Sequence, residues 1–236
     1  MRVSRLLLFF MFSFVLKTVA QNIDSFSMYL EASNQVIFIT TPSWASTAGT
    51  ASLYERKSTT RKWKCVASFA VTVGRNGLAW DNETKLPKYF TPKIKHEGDG
   101  NSPAGIFSLG PVFSYHTMEN INMPFEQVDS NDLCVDDRHS IYYNQLVDAD
   151  TLLKKDFSSF EFMKRKDQLY EFGVWVNYNS NPAKAGNGSC IFLHVWQNES
   201  SPTSGCTAMS RENMTSIIYW LDEKKNPVLV QVSREK

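Results

Sequence analysis

Cysteine is scarce in this chain, with four in 236 residues, at positions 65, 134, 190 and 206. Scaffolds that depend on disulfides in place of a core carry more bridges in far fewer residues, so that class is excluded. No two cysteines form a C-x-x-C pair and only four histidines occur, so the spacing of a structural zinc site is missing and neither metal nor cofactor is expected. Charge of one sign is also lacking. The formal net charge is +1, with bases and acids interspersed, so no basic stripe is present to track a nucleic-acid backbone and no nucleic-acid partner is expected. The Gly-containing stretch "EGDGNSPAG" (97–105) lacks the Lys-Ser/Thr ending and following helix of a phosphate loop and reads as a surface turn.

Apolar content is ample at 42%, with 13% aromatic residues, enough for one sizeable core. At the N-terminus Arg2 and Arg5 precede an apolar run from Leu6 to Leu16, followed by the small-residue site Thr18-Val19-Ala20. That is the layout of a secretory signal peptide over residues 1–20. The run is short of the roughly 20 residues that span a bilayer, so no stable membrane insertion is expected after cleavage. The mature chain, 21–236, is expected to be one domain, secreted or in the periplasm or cell envelope. Four N-x-Ser/Thr sequons, at Asn82, Asn187, Asn198 and Asn213, are close to the chance number and do not fix the host.

Short β-branched and aromatic runs bounded by Gly, Pro, Asn and Ser predict strands at 34–41, 65–74, 172–179, 190–197 and 227–233. Two stretches read as helices. One is 158–170, "SSFEFMKRKDQLY". The other is 210–226, with Ser210 as N-cap, Glu212 in the first turn and Met214, Ile217, Ile218 and Leu221 on one face. The fold class is mainly β with a few packed helices.

Chemistry concentrates in "CIFLHVWQNESSPTSGCTAMS" (190–210). Strand alternation places Cys190, Phe192, His194 and Trp196 on one face and Ile191, Leu193 and Val195 on the other. His194 on that face is partly desolvated and available as a neutral base. A polar loop then returns the chain to Cys206, preceded by Gly205, whose missing side chain permits a tight turn and a close approach. An imidazole beside a thiol lowers its pKa, and the N–H groups of Gly205 and Cys206 are placed to hold an oxyanion. In an exported protein the other reading of Cys206 is a disulfide half, and these residues alone leave both open.

The same stretch resembles the His…Ser-Gly-Cys signature of the YkuD-like L,D-transpeptidase superfamily. So do "VGRNGLAW" (73–80), "KHEGDGNSPAGIFSLG" (95–110), "CVDDRHSIYYNQLVD" (134–148), "FEFMKRKDQLYEFGVWVNYN" (160–179) and "GNGSCIFLHVW" (186–196). Together they are similar to a secreted branch whose motif ends Gly-Cys-Thr-Ala-Met, from about residue 34 to the C-terminus. The resemblance implies a single β-sandwich or barrel catalytic domain acting on peptidoglycan stem peptides through a cysteine thioester. It casts Cys206 as nucleophile, His194 as base and the turn at Ser204 and Gly205 as oxyanion hole. Relatives often place a second histidine before Gly-Cys, where this chain has Ser204, and Asn or Arg where it has Ala208. Acceptor choice, and transfer against hydrolysis, are therefore open. A non-catalytic wall-binding module with Cys206 bridged, for instance to Cys190, is the third reading. Arg75, Glu97, Asp99 and Trp196 are candidate substrate contacts. His96 reads as a solvated surface histidine. The pair Asp136 and Asp137 reads as turn-stabilising or Arg-pairing, since adjacent strand residues point opposite ways. With Cys206 kept as a thiol, at most one disulfide forms among the other three, and no pairing is assigned.

Overall fold

The computed structural model describes residues 23–83 and 93–235; the expected signal peptide lies outside them. The strands in chain order are β1 (Gln35–Thr41), β2 (Ala48–Glu55), β3 (Lys64–Thr72), β4 (Leu78–Trp80), β5 (Ser102–Ser114), β6 (Phe125–Gln127) and β7 (Asp132–Val135). They continue with β8 (Leu146–Asp148), β9 (Phe160–Phe162), β10 (Phe172–Val176), β11 (Phe192–Val195), β12 (Thr207–Met209) and β13 (Val228–Ser233), and the helix α1 (Arg211–Trp220) follows β12.

Strand β1 explains the centre. All seven of its residues are buried, because Val36 and Phe38 face one apolar cluster while Ile37 and Ile39 face another. Each such side chain contributes about 1.5–3 kcal/mol on burial. β1 pairs parallel with β13 and antiparallel with β2, and the sheet runs β10-β11-β12-β3-β2-β1-β13-β5. β5 closes it. Its first half pairs with β13 (Gln231↔Gly105 to Val228↔Ser108) and its second half with β10 (Val176↔Leu109 to Phe172↔Ser114). The result is a barrel, mainly β as the sequence indicates.

All five expected strands form, each ending or starting short of its assigned span except that β3 begins one residue early, at Lys64. β5 and β2 were not foreseen. Pro103, Gly105, Gly110 and Pro111 disguise β5 as a loop, because those residues normally weaken a strand. The Gly105 position sits against its own Phe107 ring, at 2.8 Å from where a Cβ would stand.

The last helix begins as read but ends at Trp220, short of the expected 226, with Leu221 as an extended C-cap and Glu223–Lys225 a separate 3-10 turn. Ser210 Oγ accepts from the Asn213 N–H at 3.2 Å, and Met214, Ile217, Ile218 and Leu221 are fully buried in the core with Val174 and Leu193. The expected helix at 158–170 is a correction. Phe160–Phe162 instead forms β9, paired to β7 through Leu133↔Phe162, Cys134↔Glu161 and Val135↔Phe160. Edge-on contacts Phe157–Phe160 and Phe160–Phe162, at 5.7 and 5.2 Å, hold it there. The rest turns: Gln168 has a φ of 62°, and the Asp167 carboxylate accepts from Leu169 N–H at 3.2 Å. Strand pairing and ring packing outweigh local helix propensity.

Strands β8, β7 and β9 form a separate small sheet. A disulfide between Cys134, on β7, and Cys190, just before β11, ties it to the barrel with Cα atoms 6.0 Å apart. No helix among the described residues is long and apolar enough to cross a membrane.

Candidate active site

Strands β11 and β12 run parallel, with Leu193↔Thr207, His194↔Ala208 and Val195↔Met209 in register. A parallel pair needs a crossover, and here it is the loop 196–206, which delivers Cys206 to the end of β12 beside Phe192. The Phe192 N–H donates to the Cys206 Sγ at 3.3 Å, and the thiol donates to the Cys190 carbonyl at 3.4 Å. His194 lies two residues further along β11, about 6.6 Å at strand rise. The expected alternation holds: Cys190 and Phe192 join Cys206 in one apolar cluster, while Ile191 and Leu193 enter the main core.

The loop is fixed by its own hydroxyls and by β3's continuation. Thr203 forms a parallel bridge with Gly74. Its hydroxyl donates to the Cys206 carbonyl at 2.5 Å and accepts from Gly205 N–H at 3.1 Å. Ser102 Oγ accepts from Gly74 N–H at 2.8 Å and donates to the same Cys206 carbonyl at 2.7 Å. Gly74 has to be glycine, because a Cβ there would stand 2.4 Å from the Gly100 carbonyl oxygen. Gly205 does not have to be. A Cβ there would meet nothing nearer than 3.4 Å, so the tight-turn reason given to it is corrected. What its bare backbone leaves open is the cleft it lines.

That cleft has a volume of about 440 Å³ and is walled by Cys206, His194, Ser204, Gly205, Arg75 and Trp196 among others. Cys206 and His194 are 6% and 5% exposed. His194 Nδ1 lies 2.8 Å from the Val195 carbonyl, which can only accept, so Nδ1 carries the proton and Nε2 keeps the lone pair. Burial lowers the His194 pKa to about 4, leaving the ring neutral. The thiol departs from expectation. Burial, joined by the charge of Glu161, raises Cys206 to about 12, against the pull of the Phe192 N–H, a hydrogen bond with Tyr170 and the Lys95 charge. Desolvation outweighs the help expected from an imidazole.

The other candidates separate. Arg75 reaches across to Ser204 Oγ at 3.1 Å while its N–H donates to the Thr203 carbonyl at 2.8 Å, so it braces the turn before Cys206. Glu97 lines the cleft and accepts from Tyr143 OH at 2.5 Å and Ser189 OH at 2.6 Å. Asp99 is turned away into a pair with the buried Lys95 ammonium at 2.8 Å and is not among the lining residues. Trp196 is half-buried at the cleft wall. His96 is exposed. Asp137 holds a turn, accepting from His139 N–H at 3.0 Å and Ser158 N–H at 2.9 Å. Asp136 faces the cleft.

Sequence reasoning missed Tyr170, Glu161, Arg165 and Lys95, all at the cleft. The helix reading of 158–170 hid the first three, since it placed their side chains on a helix surface. The cysteines resolve as one bridge, Cys134–Cys190, with Cys65 exposed and Cys206 buried as free thiols. The Cys190–Cys206 pairing of the wall-binding reading is thereby corrected. Among the described residues no group of His, Cys, Asp and Glu is arranged to hold a metal ion.

Comparison with known families finds a match over residues 45–230 to the YkuD model, described as the L,D-transpeptidase catalytic domain. No curated protein and no solved structure matches the chain.

Proposed function

The chain belongs to the YkuD family of L,D-transpeptidase catalytic domains, which gives it a cell-wall role with peptidoglycan as substrate, and on that premise we propose that it is an exported acyltransferase working through a thioester on Cys206. The observation that carries the reading is a free, buried thiol facing a cleft with a neutral imidazole on the same face. In this mechanism His194 Nε2 takes the thiol proton as sulfur attacks the carbonyl that follows a diamino acid in a stem peptide. The tetrahedral oxyanion is met by the Gly205 and Cys206 N–H groups, the incoming oxygen replacing the Thr203 hydroxyl now bonded to Gly205. Collapse breaks the C–N bond, His194 returns the proton to the leaving amine, and an acyl-enzyme remains. An acceptor amine then resolves it to a cross-link. Water in its place gives hydrolysis, which Ser204 and Ala208, standing where relatives often carry substrate-anchoring groups, keep open.

Cys206→Ala is expected to abolish turnover of a stem tetrapeptide with the fold intact by circular dichroism, and His194→Ala to lower kcat by about 10²–10⁴-fold. Retained activity in Cys206→Ala would sink the proposal. Product analysis with and without an amine acceptor separates transfer from hydrolysis.

A further inference from the structure

Next to the thiol stands a carboxylate for which acyl transfer by a Cys/His pair has no use. Glu161, on β9, lines the same cleft as Cys206, and its Oε2 accepts from the Tyr170 OH at 2.5 Å. Tyr170 is buried, sets its ring edge-on to His194 with centroids 5.0 Å apart, and shares an apolar cluster with Cys206. Glu161, Tyr170 and Cys206 thus form one connected wall. A negative charge in a partly dry wall opposes ionisation of a neighbouring thiol.

The cations of the cleft each hold another partner, and Arg165 offsets the Glu161 charge only in part. Arg165 stacks over the Tyr170 ring at 4.9 Å with its Nε and Nη2 bound to Asp167 at 2.9 and 2.5 Å. Lys95 is paired with Asp99, and Arg75 is on Ser204. Glu97, the other acid near Glu161, is satisfied by the Tyr143 and Ser189 hydroxyls and the Gly98 N–H. Asp136 is different: it lines the cleft, and its Oδ1 is buried with no hydrogen-bond partner. A buried carboxylate oxygen without a donor is costly, and two carboxylates on one wall of a substrate cleft, with Arg165 committed to Asp167, call for a ligand that brings both donors and positive charge.

We propose that Glu161, acting through Tyr170, is a positioning and specificity residue that holds Cys206 as S–H until a free ammonium group of the acyl donor seats against Glu161 and Asp136 and releases it. This rests on the acyl-transfer reading and narrows it to donors whose amino group near the scissile carbonyl is unblocked. No group is consumed: the thiol proton passes to His194, and the ammonium keeps its own protons while its charge offsets the carboxylates. Glu161 is raised by burial, with Asp136 and Glu97 adding to the rise and the Tyr170 hydrogen bond and Arg165 opposing it, so an incoming ammonium favours its charged form. Tyr170 is raised by burial, then by the charges of Cys206 and Glu161. Among the charges acting on Cys206, Glu161 is first, with Lys95 opposing it.

Two measurements test this without requiring turnover. The first is the pH dependence of Cys206 alkylation by iodoacetamide in a Cys65→Ser background, which removes the exposed thiol. Glu161→Gln is expected to lower the midpoint by about one pH unit or more, and Glu161→Asp to leave it near the parent's. If Glu161→Gln disturbs the near-UV spectrum, the uncharged Glu161→Met serves in its place, with a shift of the same sign. An unmoved midpoint in the folded variant overturns the role of Glu161. The second is calorimetric binding of a stem tripeptide ending in its diamino acid, with the side-chain amine free or acetylated. The parent is expected to bind the free amine at least ten-fold more tightly and Glu161→Gln to lose that preference. Equal affinities in the parent overturn the ammonium subsite. Failure of acyl transfer itself would appear only in turnover, so the two refutations are distinct.

Discussion

His194 is the residue whose burial has the plainest thermodynamic consequence. Its folded pKa of about 4 lies below the ordinary value of 6.5, so between those values the unfolded chain binds the proton that the folded chain refuses. Stability contributed by neutral His194 is complete above about pH 6.5 and is lost as pH falls toward 4, by about 3 kcal/mol in order of magnitude. Glu161, raised in the fold, changes with the opposite sign, since it gains a proton in the folded state first. The difference between parent and His194→Gln isolates the histidine. Urea midpoints at pH 7 and pH 4.5 are expected to fall further for the parent than for the variant, and parallel falls would show the ring to be less enclosed. Ser102 is a residue that sequence did not mark, because a lone serine before a proline carries no signal. Its hydroxyl nonetheless links Gly74 to the Cys206 carbonyl. Ser102→Ala leaves a buried acceptor with one partner fewer and is expected to cost about 1–3 kcal/mol of stability, read from denaturant unfolding.

At the scale of elements, legibility followed periodicity. β1 and β13 carry apolar runs with no Gly or Pro after the first residue, and α1 carries its cap and its Met214-Ile217-Ile218-Leu221 stripe, so each could be read directly. Ser210→Ala is expected to destabilise the fold by about 1 kcal/mol through loss of the cap on Asn213, measured by thermal unfolding. β9 was illegible for the converse reason. Phe160-Glu161-Phe162 is three residues long, its charged flank resembles a helix surface, and its partners on β7 stand some 25 residues away in sequence. β5 was hidden by glycines and prolines that the barrel uses where one strand passes from β13 to β10. Cys206 and His194 could be picked out together because both belong to one local unit, β11, loop and β12. The residues that shape their chemistry, Tyr170 and Glu161, come from the small sheet and the turn after it, and only tertiary pairing brings them in.

For the whole molecule, the disulfide is the joint between the two sheets. Cys134 and Cys190 close a separation of 56 residues, a loop for which chain entropy gives about 4 kcal/mol of stabilisation. The cleft depends on that joint, since β7 pairs with the strand that carries Glu161, and Cys190 offers the carbonyl that accepts the Cys206 thiol. Replacing both cysteines with alanine is expected to lower stability by up to that amount and to make Cys206 more readily alkylated, while Cys65→Ser leaves both unchanged. The most direct measurement of the central claim is intact-mass spectrometry of the unreduced protein before and after a carbapenem, followed by peptide mapping. The account expects one adduct, on the Cys206 peptide, with Cys134 and Cys190 still joined. Cys206 free and unmodified after prolonged exposure, or an adduct confined to Cys65, would contradict it.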